Sequence, residues 1–469
     1  MKYRLSILIA LFFWGCEDQL NLQPEQSLPT EEALSNLNGL ETAVRGAYSA
    51  MRSLGYYGRN FYVIPEAASD NIIISLANSG RFLNENRYNL NEAQTQAGLW
   101  NTGYNIIARV NNVLENIDNV DENRADEKNN LRVQAFFIRG LVYFDLARTF
   151  CQPWSKGNGS QLGVPIVTQT EIGNPPRNTL AEVYDQIIND LTQSINAYDA
   201  ITNDDNRWSP PFFASKLAAQ ALLSRVYLYQ GDNANAEAAA TAVINSNIQL
   251  VSRNSYVSYW NSEVLTDAGI GRFIEDIFVL RVLSVESLGA EDLGLIYMVE
   301  GFGDLRPTQD ILDLLPTNDV RRGLIQNRSG DDYIYKFPGR TNFPGLTSPR
   351  ILRLSEIVLN RAEARAKSGD VVGATADLNL IRTRAGLPSF NPSASEILAE
   401  VLLERRKELA FEGHRSYDIF RNELNLERIE CNLPSGINCT VPFTSHLTAF
   451  PIPRSELNAN PNMAQTEGY

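Results

Sequence analysis

Histidine is nearly absent from this chain: His414 and His446 are the only two in 469 residues. No HExxH helix and no Cys/His cluster therefore exists to hold a zinc ion, and no metal or other cofactor is expected. Neither a GxSxG elbow nor a Walker-type phosphate loop occurs. Two-carboxylate glycosidases leave no local signature, so a surface glycoside hydrolase is the serious enzyme alternative. Basic clusters are missing too. Lys and Arg number 41 against 55 Asp and Glu, a formal charge of −14, and no basic patch is interleaved with aromatics. Such a surface repels polyanions, which argues against nucleic acid as a partner. After Trp14 no apolar run approaches the ~20 residues that cross a bilayer core. Hydrophobic content of 43% with 20% charged residues nevertheless supports a globular core and excludes disorder.

What is present at the N-terminus is a three-part leader. Lys2 and Arg4 are a short positive region, Leu5 to Trp14 is an almost unbroken apolar run of ten residues, and Gly15-Cys16 follows. The run suits a secretory signal over residues 1–15. A small residue before Cys16 resembles the bacterial lipobox, although Phe13 and Trp14 are bulkier than usual there. An ordinary signal peptide with a chance cysteine is the alternative. Lipid on Cys16 would anchor the chain to a membrane without spanning it. The polar residues up to about 30 then read as a tether, and Glu17-Asp18 disfavour close contact with anionic headgroups.

Three further cysteines remain. Cys431 and Cys439 bracket a turn-rich loop and form a candidate disulfide in an oxidising compartment, two separate thiols being the alternative. Cys151 follows an apolar helix and is expected to be buried and inert.

Helical periodicity dominates the rest. Ala218, Leu222, Val226 and Tyr229 share one face, Gly231-Asp232-Asn233 breaks the helix, and Ala236, Ala240 and Val243 mark the return. The plan recurs at 350–388. There Ile351, Leu354, Val358 and Ala362 precede Ser368-Gly369-Asp370, then Ala374, Leu378 and Ile381 follow, and Gly386-Leu387-Pro388 stops the helix. Each unit is about 34 residues, a helix–turn–helix of tetratricopeptide type, which cannot bury its apolar face alone. Leu131 to Phe150 with the helix carrying Tyr184, Ile187, Ile188, Leu191 and Ile195, and Glu31 to Leu54 with Leu99 to Ile117, supply further pairs. Two long stretches, 55–96 and 251–349, are irregular, with short strand-like runs at Ile277 to Leu280 and Tyr333 to Tyr335. Long loops of this kind are usually functional. The expected fold is mainly α: about four tetratricopeptide-like pairs, a large irregular portion and few short strands. The halves are 31–250 and 251–469.

The densest charged segment runs from Leu403 to Arg415. Glu404, Glu408 and Glu412 repeat at i, i+4, and Arg415, Asp418 and Arg421 follow at steps of three, a spacing that braces helices rather than builds a catalytic cleft. His414 beside them reads as a surface or packing residue.

Taken together the residues resemble the SusD/RagB family of outer-membrane nutrient-binding lipoproteins of the Bacteroidota. The match begins at Cys16-Glu17-Asp18-Gln19-Leu20 and continues through Trp100, Tyr104 and Asn111, Arg132 to Gly140, Tyr143-Phe144-Asp145-Leu146, Gly163-Val164-Pro165 and Ala218 to Tyr229. It is densest at Arg353-Leu354-Ser355-Glu356-Ile357, Arg361-Ala362-Glu363-Ala364, Leu378 to Arg382, Arg384 to Leu387 and Glu404 to Asp418. Cys151 departs from the family, which often has Gly before its turn there. The resemblance implies four helical pairs, no catalysis, lipid at Cys16, and an outer-membrane position facing the cell exterior. It also implies a SusC-like TonB-dependent transporter as partner, over which the lipoprotein sits as a lid. The ligand it implies is an oligosaccharide, with a peptide as the alternative. Ligand contacts are expected on the inserted loops, at Asp70, Asn71, Arg81, Phe82 and Tyr297, against loop packing as the plainer reading of each. Trp100 and Trp260 are expected in the core, and Trp208 is open.

Overall fold

A computed structural model describes residues 30–121, 123–203, 206–261, 274–431 and 438–469. Cys16 and the leader lie outside the described residues. The scaffold is built from α1 (Leu37–Met51), α2 (Asn60–Ala67), α3 (Ala97–Asn116), α4 (Ala125–Phe150), α5 (Leu180–Asp199), α6 (Lys216–Gln230), α7 (Asn233–Ile244), α8 (Leu354–Lys367), α9 (Val371–Ala385), α10 (Ile397–Glu408) and α11 (Arg415–Arg421). Four antiparallel-type pairs follow from the packing: α1 with α3, α4 with α5, α6 with α7, and α8 with α9. Successive pairs pack on one another through α3–α4, α5–α6 and α7–α8. This is the expected mainly helical, tetratricopeptide-like architecture.

Local chemistry sets the hairpin turns. Gly231 closes α6 in the left-handed region at φ 83°, and the Asp232 carboxylate accepts from Asn235 N to start α7. Asp370 caps α9 in the same way by accepting from Gly373 N. Caps of this kind stabilise a helix by about 1 kcal/mol each. Thr179 and Glu182 form a reciprocal capping box at the start of α5. The apolar positions read from sequence, Ala218, Leu222, Val226, Ala236, Ala240, Val243, Ala374, Leu378 and Ile381, are all buried.

Helix α4 is the central element, with every residue of 137–150 buried. Its polar groups are paired inside the core. Arg139 holds Asp190 of α5 through two bonds of 2.9 and 2.7 Å. Asp145 accepts from Tyr56 Oη and from Arg148, both at 2.7 Å. The largest cluster of buried residues runs from Leu34 to Met463, so both halves share one core. Trp100, Trp208 and Trp260 all belong to it.

The structure differs from the periodicity reading in three places. Ile351 is not on a helix. It lies in strand β8 (Arg350–Arg353), which pairs antiparallel with β2 (Asp276–Val279), and α8 starts only at Leu354. All four residues of β8 are buried, so no alternation separates it from the helix that follows. Glu31 to Leu54 is two helices, because Asn36 caps α1 by accepting from Gly39 N. The stretch 55–96 contains α2, whose residues from Phe61 to Ala67 are buried throughout despite Pro65, and β1 (Ile72–Ile74).

The charged segment forms a buried brace, as its spacing suggested. Glu408 meets Arg384 at 2.6 Å, Arg353 at 2.7 Å and Arg321 at 3.3 Å. Glu412 takes Arg353 and Lys336. The network ties α10 to β8, α9 and the second insertion. Each member is protected only while its partners stay, since removing one partner of such a buried pair costs about 3–5 kcal/mol. His414 is packed inside, and burial holds its imidazole well below the usual pKa.

Candidate functional site

The two insertions meet through a short antiparallel ladder. Strand β1 pairs with β3 (Leu305–Pro307) in the register Ile72↔Pro307, Ile73↔Arg306 and Ile74↔Leu305. The chain leaving β1 then folds back on the residue preceding β3. Ser75 N donates to Asp304 O at 2.8 Å, and Ser79 N donates to Asp304 Oδ1 at 2.8 Å. Asn78 Oδ1 turns the loop by accepting from Gly80 N at 2.7 Å, with Gly80 at φ 98°.

This geometry delivers Arg81 onto an aromatic ring. Its guanidinium carbon lies 3.7 Å from the centroid of Phe302. Glu291 holds the same guanidinium from the side, and Arg81 Nη1 donates to Ser79 Oγ at 2.7 Å. Glu291 also receives Arg59, whose guanidinium lies 5.2 Å over Phe82. The hydrogen bond from Arg81, together with the charges of Arg59 and Arg81, keeps the Glu291 carboxyl below its usual pKa. Phe82 itself is left-handed at φ 56°. For a bulky side chain that conformation costs about 1–3 kcal/mol, a kind of strain that clusters at binding sites. Leu76 in the same loop is 93% exposed, so the loop that carries Arg81 also presents apolar surface. A ring, a planar cation, a carboxylate and a hydroxyl thus converge on one surface formed by both insertions.

Of the five residues expected to contact ligand, Arg81 is partly exposed in this cluster and Phe82 is buried under Arg59 at its edge. The other three are turned inward. Asp70 is buried and binds Arg415 through two bonds of 2.7 Å, with Arg406 at 3.4 Å. Burial raises its pKa, but the Arg415 charge outweighs it and the carboxyl stays below the usual range. Asn71 is fully buried, donating to Glu66 at 3.2 Å and accepting from Arg406 at 2.9 Å. Tyr297 is fully buried against Phe337, ring centroids 6.0 Å apart. The reason is tertiary: Arg406 and Arg415 come from α10 and α11, more than 300 residues along the chain, and close over the end of α2.

Sequence reasoning missed Phe302, Glu291 and Arg59. Phe302 had one signal, its setting between Gly301 and Gly303. A Cβ on Gly301 would lie 2.3 Å from Leu295 O, and Gly303 is at φ 55°, so the backbone there needs glycine to present the ring. Glu291 and Arg59 had none.

Cys431 and Cys439 form a disulfide with Cα atoms 5.5 Å apart. Cys151 is a buried free thiol whose pKa burial pushes up to about 11. Among the described residues no group of His, Cys, Asp and Glu side chains could hold a metal ion, and no helix is long and apolar enough to cross a membrane.

Comparison with known proteins gives a consistent picture. Residues 18–228 match a SusD-like family model described as starch-binding and associating with the outer membrane, and residues 333–469 match the SusD family model. A SusD-like protein, P2, of Formosa agariphila is 25% identical over the full length of both chains. The starch-binding protein SusD of Bacteroides thetaiotaomicron is 32% identical over 191 residues, 40% of this chain and 33% of the relative. Among solved structures, a SusD superfamily protein from Bacteroides thetaiotaomicron superposes with a TM-score of 0.80 at 30% identity, covering 92% of this chain and 99% of the other. Another from Bacteroides vulgatus gives a TM-score of 0.83 at 28% identity, with 92% and 99% covered.

Proposed function

The chain belongs to the SusD family, and from that premise we propose that it captures an oligosaccharide at the outer membrane and passes it to a SusC-like TonB-dependent transporter without altering it. The observation that carries this reading is the stack of Arg81 on Phe302. A sugar ring needs an apolar face for its C–H surface and a few placed polar groups for its hydroxyls. Phe302 is such a face, and Arg81 covers it. The pair holding Arg81 in place is partly exposed, at 28% for Arg81 and 29% for Glu291, and exposed pairs of this kind contribute only about 0–1 kcal/mol. A sugar can therefore take the place of the guanidinium on the ring at small cost. Arg81, Glu291 and Ser79 then remain beside it to bond hydroxyls. In this scheme Phe82 flanks the contact. Asp70 and Asn71 hold the loop from beneath through Arg415 and Arg406, and Tyr297 packs below the second insertion.

Lipid at Cys16 leaves the helical body free to hinge about its own N-terminus over a transporter pore, on the outer face of the membrane. Solenoid faces of stacked helical pairs offer the broad surface such docking requires.

Calorimetric titration of the mature protein lacking Cys16 against a panel of neutral oligosaccharides and peptides tests the reading. Binding of a glycan without new reducing ends supports it. Binding of peptides alone, or steady release of product, overturns it.

A further inference from the structure

In a chain of net charge −14, two cations of the connection between α4 and α5 have no carboxylate partner among the described residues: Lys156 lines a cavity, and Arg177 is buried against the Thr466 of its wall. Lys156, in the connection between α4 and α5, donates to three neutral oxygens: Gln152 Oε1, Ser445 O at 2.6 Å and Thr448 Oγ1 at 2.9 Å. Arg177, at the end of the same connection, is held by backbone carbonyls, with Nε donating to Gly163 O at 2.6 Å, and by Thr466 Oγ1 at 3.0 Å. Gln152, Lys156, Thr444, His446, Thr466 and Glu467 line a cavity of about 440 Å³. Small-molecule sites fall at roughly 300–1,000 Å³. The cavity shares no residue with the Arg81 cluster.

His446 also lines this cavity, and its ring is fixed in place. Tyr469 stands edge-on to it at 4.7 Å between centroids. Gly468, at φ 104°, presses on it so closely that a Cβ would lie 2.5 Å from the imidazole Cγ. Within the described residues neither ring nitrogen has a hydrogen-bond partner, and the exposed Thr444 hydroxyl has none. Both are free to meet a ligand. Glu467, on the rim, is the only carboxylate in the lining.

We propose that this cavity is an oxyanion-binding subsite that takes the carboxylate or sulfate ester of an acidic saccharide unit. The His446 imidazole and the Thr444 hydroxyl donate to the anion, and Lys156 and Arg177 supply the field that neutralises it. Bonds to a charged partner are about twice as strong as neutral ones, and an ammonium already satisfied by neutral oxygens still lacks its counter-charge. The ionisation behaviour agrees. Burial pushes Lys156 down to about 8, and burial followed by the Lys156 charge lowers His446. No neighbouring carboxylate opposes either shift, and a bound anion would. The anion part stands without the glycan reading above, while the saccharide part rests on it.

Titrations at low ionic strength with glucuronate, glucose 6-sulfate, acetate, inorganic sulfate and glucose, on the mature protein lacking Cys16, test this. Glucuronate or glucose 6-sulfate should bind about tenfold or more tightly than glucose, the tighter of the two naming the anion. Lys156→Gln should lose about that factor. Thr444→Glu, an exposed change that places a negative charge at the mouth and leaves the fold alone, should lose it as well. Equal affinity for glucose and its acidic forms, no binding of either acidic sugar, or full affinity in Thr444→Glu overturns the proposal. Acetate or inorganic sulfate binding as tightly as the sugars overturns its saccharide part. Neither outcome bears on glycan binding at Arg81.

Discussion

The guanidinium carbon of Arg81 lies over the ring of Phe302, 3.7 Å from its centroid, although the two residues belong to different insertions. Each therefore depends on the β1–β3 ladder for its position, and the cluster exists only in the folded chain.

Replacing Phe302 by Ala should weaken oligosaccharide binding about tenfold, equivalent to about 1.4 kcal/mol. Arg81→Ala should also change affinity while shifting stability by less than about 1 kcal/mol, because its ion pair is partly exposed. Calorimetry for binding and a thermal melt for stability separate the two effects. Unchanged affinity in both variants would remove the cluster from the ligand site.

Asp70→Asn should behave in the opposite way. It leaves Arg415 without its carboxylate beneath the loop, while Arg406 keeps Asp310, so stability should fall by about 3 kcal/mol while the folded protein keeps most of its affinity. Urea unfolding alongside calorimetry reads both. A large loss of affinity at unchanged stability would mean that Asp70 contacts ligand after all.

Acid should unfold the protein through its buried carboxylates. In Glu363, Glu404, Glu408, Glu412 and Asp418 burial raises the pKa, but neighbouring Arg and Lys charges outweigh it and leave each below the ordinary value. A depressed folded-state pKa contributes stability that is present above the unfolded value, about 4–4.5, and is lost as pH falls through the folded one. Glu66, Asp145, Asp190 and Asp276 carry the reverse sign, being raised chiefly by burial, and gain stability on protonation. Unfolding free energy measured from pH 7 to 3 should decline below about pH 4.5. Glu408→Gln should lower the neutral-pH plateau and flatten that decline. A variant with the parental slope would exclude Glu408 from the acid response.

Cys431 and Cys439 should react with a thiol reagent only after reduction, and Cys151 only after unfolding, since it is buried with its thiol pushed up to about 11. Loss of the disulfide closing this short loop should cost about 2–3 kcal/mol. Thermal melts of Cys431→Ser/Cys439→Ser, and thiol counting with and without denaturant, check both points. Alkylation of Cys151 in the native protein would show that its helix end opens.

Much of the scaffold was legible in the sequence alone. Helical spacing marked Ala218 to Val243 and Leu354 to Ile381. The Gly-Asp pairs at 231–232 and 369–370 marked the turns, because a left-handed residue followed by a capping carboxylate is a local requirement that local sequence must meet. The Cys431–Cys439 bridge was legible for the same reason, since eight residues bring the two thiols within reach whatever the rest of the chain does. What only the tertiary structure decided is which polar residues are spent on the fold and which are left for a ligand. Asp70 and Arg81 look alike in sequence, each a charged residue in the same irregular stretch. Asp70 is taken by Arg415, 345 residues away, and Arg81 by a ring and a carboxylate from the second insertion. Pairing over such distances depends on where whole helices come to rest, and no local spacing encodes it. Strand β8 went unread on the same ground: its four residues are buried on both faces, and only the partner strand distinguishes it from the helix it precedes.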